Sequence, residues 1–134
     1  MKQVATLSRS WLVVVVGALG MLNGCSGQPS APVAATLQVS LSTPFSDDGA
    51  LLFTVTGGRV DSVDAAGYTL YSSRTDPTTL RVILTGDLSP GIVAHVHIPD
   101  ERVASQYSAS ISQVAGRETY IERDPAAYHL ELKP

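Results

Sequence analysis

From Thr36 onward, apolar and polar residues alternate with a period of two in stretch after stretch, and the 3.6-residue recurrence of an amphipathic helix is nearly absent. In TLQVSLST, Leu37, Val39 and Leu41 share one face while Gln38, Ser40 and Ser42 share the other. PFSDDG reads as a turn, and ALLFTVT follows with Leu51, Phe53 and Val55 on one side. Gly57-Gly58 breaks that run as a turn or bulge, and RVDSVD is a short strand candidate. GYTLYSS and TLRVILT form a hairpin across RTDPTT, and GDLSPG turns the chain into IVAHVHI. There Ile92, Ala94, Val96 and Ile98 alternate with Val93, His95 and His97. PDERVASQ suits one helical turn capped by Asp100, and YSASISQVA and YHLEL supply the last two strands. About eight strands separated by turn signals at roughly 8–14 residues predict a single all-β sandwich over residues 36–134.

The first 35 residues follow another pattern. Lys2 and Arg9 precede twelve uncharged, mostly apolar residues, Trp11 to Leu22. A membrane-spanning helix needs ~20 such residues, whereas a secretory signal needs an apolar core of only ~7–15 behind a positive start. The segment that ends at Leu22-Asn23-Gly24-Cys25 resembles the lipobox of bacterial lipoproteins, with Asn23 departing from the small or β-branched residue usual at its position. The resemblance implies a signal peptide over residues 1–24, removed after a diacylglyceryl group is attached to Cys25, whose new amino terminus is then acylated too. Two or more acyl chains hold a protein firmly where one holds it marginally. A lone thiol in an oxidising compartment is a liability, which also favours acylation. By the same resemblance, Ser26 after the cysteine favours the outer membrane if the host is Gram-negative, the domain facing periplasm or cell surface. SGQPSAPVAA, uncharged and rich in Pro and small residues, completes a tether over residues 25–35 that would reach ~30 Å when extended.

The middle of the domain adds a second resemblance. GALLFTVTGG and GDLSPGIVAHVHIPD are laid out like the early and central strands of cohesin modules, which are immunoglobulin-like or jelly-roll sandwiches. The chain is also similar to small envelope lipoproteins of environmental bacteria. The likeness supports the sandwich and carries no activity with it.

Composition narrows the function classes. Without Lys2 and Arg9, seven basic residues face twelve acidic ones, and Lys133 is the last lysine. With no basic cluster, nucleic-acid binding is disfavoured. No G-x-S-x-G elbow or phosphate-cradling loop occurs, and a sandwich this small leaves little room for a cleft between carboxylates such as Glu118 and Glu122, so an enzyme is not expected.

Three sets of residues remain as candidates. His95-Val96-His97 places two imidazoles ~6.5–7 Å apart on one strand face, and His129 and Glu131 have the same parity on the last strand. Were those strands neighbours, His95, His97, His129 and Glu131 would make a Zn²⁺ site for a small metal-binding protein or metal-dependent enzyme. Asp47, Asp48, Asp61, Asp64 and Asp87 would offer loop oxygens to Ca²⁺, although Asp is common in turns without it. Tyr68 and Tyr71 straddle both faces of one strand, so at least one is expected outside, where it would stack on a sugar ring. The reading that combines these features is a lipid-anchored, non-catalytic envelope module with no obligatory cofactor, binding an envelope protein or a polysaccharide.

Overall fold

The computed structural model describes residues 27–134; the expected signal segment and Cys25 lie outside the described residues. Nine strands form two antiparallel sheets packed face to face, an all-β sandwich as the alternation predicts. The strands are β1 (Ala35–Ser42), β2 (Asp48–Thr56), β3 (Ser62–Ala65), β4 (Thr69–Asp76), β5 (Thr79–Leu88), β6 (Gly91–Ile98), β7 (Ser108–Gly116), β8 (Glu122–Arg123) and β9 (His129–Lys133). One sheet has the order β3-β6-β1-β9 and the other β4-β5-β2-β7-β8. Only the β4–β5 and β7–β8 links join neighbours in a sheet; every other link crosses between sheets.

The core is the set of inward positions of both sheets. Leu37, Val39 and Leu41 of β1 and Val96 and Ile98 of β6 meet Leu51, Phe53 and Val55 of β2 and Val82 and Leu84 of β5, all buried. Burying each such side chain contributes about 1.5–3 kcal/mol. Two elements lie outside the predicted eight strands, the two-residue β8 and a 3-10 turn over Pro125–Ala127. The predicted helical turn is present as a 3-10 helix over Glu101–Gln106, where the Asp100 side chain accepts from the Arg102 amide.

One parity expectation changes. β6 carries a bulge: Val39 pairs with Ala94 but Ser40 pairs with Ile92, so Val93 has no partner on β1. The extra residue turns Val93 inward beside Ala94 and leaves Ile92 partly exposed. Within the expected tether, Ser30 and Val33 are hydrogen-bonded to the domain. The Glu101 amide donates to the carbonyl of Val33 (2.8 Å) and Arg102 donates to that of Ser30 (3.3 Å), which holds residues 30–33 against the 3-10 helix.

Candidate functional site

The two outer faces of the sandwich differ in chemistry. On the four-stranded sheet, β1 presents Thr36, Gln38, Ser40 and Ser42, β6 presents His95 and His97, and β9 presents His129, Glu131 and Lys133. All three histidines of the chain therefore share one polar face, but they do not form the expected zinc site. β1 lies between β6 and β9, which sets His95 and His97 two strand spacings, about 10 Å, to one side of His129 and Glu131, and the register displaces them further along the strands. His95 is in register with Gln38, and Gln38 with Lys133, so the residue on the far side of that row is a cation. Glu131 pairs with Lys133 at 2.9 Å. His97 is engaged elsewhere: its Nε2 lies 2.6 Å from Asp64 Oδ2 on β3 and its Nδ1 lies 3.0 Å from Thr36 Oγ1 on β1. A carboxylate only accepts, so Nε2–H donates to Asp64, while Nδ1 and the Thr36 hydroxyl share the second bond. This trio stitches three strands together and fastens the short edge strand β3.

The aspartates expected as calcium ligands each meet an arginine or, for Asp64, a histidine instead. Asp61 pairs with Arg59 at 3.1 Å, Asp64 with His97, and Asp87 with Arg117. Asp47 and Asp48 share Arg123, each at 2.7 Å. Among the described residues no group of three or more His, Cys, Asp or Glu side chains is placed to hold a metal ion.

Asp48 is the buried charge of the fold. It is 0% exposed at the start of β2, and its carboxylate accepts from Thr43 Oγ1 (2.6 Å), Arg123 Nη1 (2.7 Å) and the Tyr128 hydroxyl (2.7 Å). The Arg123 guanidinium also lies 4.3 Å over the Phe45 ring, which packs against Tyr128. Arg123 holds Asp47 below the ordinary carboxylate range, and the same contact, with Tyr128 second, keeps Arg123 firmly protonated. Burial, followed by the nearby Asp48, pushes the Tyr128 hydroxyl upward. Nothing in the spacing of residues 43, 48, 123 and 128 marks this cluster; it forms only when β8 and β9 close over the β1–β2 turn.

The outer face of the five-stranded sheet carries a contiguous row of exposed apolar side chains. Register places Tyr71 of β4 beside Ile83 of β5, and Ile83 beside Leu52 of β2. Tyr71 is 63% exposed and Ile83 41%, so this row is open to solvent. The next row holds Thr85, Ala50 and Ala115, whose small side chains leave a depression. Beyond it stands Tyr120, 83% exposed and with φ +53°, the left-handed region a tyrosine rarely adopts. Three adjoining hollows of about 250, 260 and 400 Å³ follow this path from Tyr71 to Tyr120.

The two tyrosines named from the sequence have separate fates. Tyr71 stands on the open face, whereas Tyr68 is half-buried, rests against Gly86 and approaches Ser89 Oγ at 3.3 Å, which ties the β5–β6 turn to β4. Tyr120 was not marked by the sequence because it falls in a turn, where no periodicity assigns a face. No family model, curated protein or solved structure matches this chain.

Proposed function

We propose that the chain is a lipid-anchored, non-catalytic binding module of a bacterial cell envelope, acylated at Cys25 and presenting the outer face of its five-stranded sheet to a ligand. The observation that carries the reading is the open row of Tyr71, Ile83 and Leu52 on that face. Its three side chains are contiguous across three strands and border a run of hollows, which distinguishes them from the singly scattered apolar residues of an ordinary surface. The opposite sheet offers a polar face with its charges paired, which suits solvent.

Two measurements test the reading. The Cys25→Ala chain is expected in the soluble fraction and the parent chain with the membranes; equal membrane retention overturns the anchor. In pull-downs from envelope extract, run with and without EDTA, Ile83→Asp is expected to abolish whatever the parent chain captures. Undiminished capture by Ile83→Asp places the binding surface elsewhere, and loss of capture in EDTA alone turns attention back to metal.

A further inference from the structure

Resting on the reading of that face as the binding surface, we infer that its ligand is a neutral, extended polysaccharide lying along the groove from Tyr71 to Tyr120. The groove floor is Ile83, Leu52, Ala50 and Ala115, and an exposed tyrosine closes each end. Tyr71 on edge strand β4 and Tyr120 in the β7–β8 turn stand at opposite ends of this run of three hollows, so a chain that touches both rings spans more than one sugar unit. Sugar rings have apolar faces rimmed by hydroxyls and pack flat on aromatic side chains, and the tyrosine hydroxyls remain free to bond at the rim. Hydroxyls also border the groove itself, from Ser73 beside Tyr71 and Thr85 beside Ala50.

Charge selects a neutral chain. Along the groove Arg81 and Arg117 are balanced by Asp87 and Glu122, and Arg117 is paired with Asp87. Area argues against a protein partner. A stable protein interface takes about 800 Å² from each side around an apolar centre. The open apolar row here is three residues across and one deep, on the order of 100 Å² of sheet surface. A narrow, shallow path of this kind fits a single extended chain.

The experiment is sedimentation of the full chain in detergent with three insoluble neutral glycans, namely chitin, cellulose and curdlan, and retention on a soluble acidic glycan, alginate, as the contrast. Retention by at least one insoluble glycan is expected, weakened at least about tenfold by Tyr71→Ala and by Tyr120→Ala, restored by Tyr71→Phe, and unchanged by His129→Ala on the opposite sheet. Retention that ignores both tyrosines, or binding to alginate alone, overturns the inference. If no glycan is retained while Ile83→Asp still abolishes capture of an envelope protein, the polysaccharide is wrong and the binding face stands. If Ile83→Asp changes nothing either, both readings fall.

Discussion

At the scale of single residues, Asp48 and Asp61 make a direct contrast. Both are paired with arginine, yet Asp48 is 0% exposed while Asp61 is partly exposed and its partner Arg59 largely in water. Removing one partner from a buried pair leaves the rest of the cluster uncompensated, so Asp48→Ala is expected to lower stability by ~3 kcal/mol. Asp61→Ala is expected to cost less than ~0.5 kcal/mol, because exposed pairs contribute little. Urea midpoints of the two variants check this, and equal midpoints would show that the Asp48 cluster is not under strain of burial. Protonation at other residues sets the pH limits. Asp76 is held below 3.8 by Thr79 and Asp100 below it by Arg102, as Asp47 is by Arg123. Their contribution is present above the unfolded carboxylate value and is lost as pH falls through the lowered folded values. Burial raises Tyr107 and Tyr128 above 10, so their contribution is present below that pH and is lost as pH rises through the raised values. Stability is therefore expected to fall below about pH 4 and above about pH 10, and Tyr107→Phe is expected to soften the alkaline limb.

At the scale of elements, the long strands were legible because one buried face imposes a strict period of two, which any sandwich of two amphipathic sheets must display. β1, β2, β5, β7 and β9 begin and end within about two or three residues of the alternating runs in the sequence. The departures have local causes. β8 has two residues, too few to show a period, and the β6 bulge inverts parity for Val93 and Ile92 without any mark in composition. The site was legible only in part: Tyr71 follows from alternation on β4, but Tyr120 and the Asp48 cluster depend on turns and on residues far apart in the chain. Gly57-Gly58 was readable as a turn, and its tightness has a specific reason. Gly57 has φ +111°, and a Cβ there would lie 2.0 Å from the Gln106 carbonyl oxygen, while at Gly58 it would meet the Tyr107 hydroxyl at 2.5 Å. The Tyr107 hydroxyl donates to the Arg59 carbonyl at 2.6 Å, so the two glycines let β2 turn past the ring that locks the next segment. Gly57→Ala combines a left-handed backbone with a backbone clash and is expected to cost more than ~2 kcal/mol, read as a lowered midpoint in thermal unfolding.

At the scale of the whole molecule, the strands give the domain a direction relative to the anchor proposed at Cys25. Residues 30–33 are held on the 3-10 helix at Glu101–Gln106, and this end of the sandwich also carries the start of β1 and the end of β2. The opposite end carries Gly49, Gly116 and Tyr120, about 26 Å away along the length of β2. Because Ser30 and Val33 are pinned, the free leash from Cys25 is only about five residues, or ~17 Å at full stretch, rather than the ~30 Å of an unattached tether. With Cys25 acylated, as proposed, a short leash joined to one end keeps that end near the lipid headgroups and holds the Tyr120 corner away from them. Ser105 and Glu118 are exposed on the near and far ends respectively. In proteoliposomes containing a headgroup quencher, a dye attached through Ser105→Cys is expected to be quenched several-fold more than one attached through Glu118→Cys. Adding Arg102→Ala, which frees Ser30 and lengthens the leash, is expected to narrow that difference. Equal quenching at both sites in the otherwise unaltered chain would mean that the domain tumbles freely on its anchor, and the groove would then have no preferred orientation toward the space beyond the membrane.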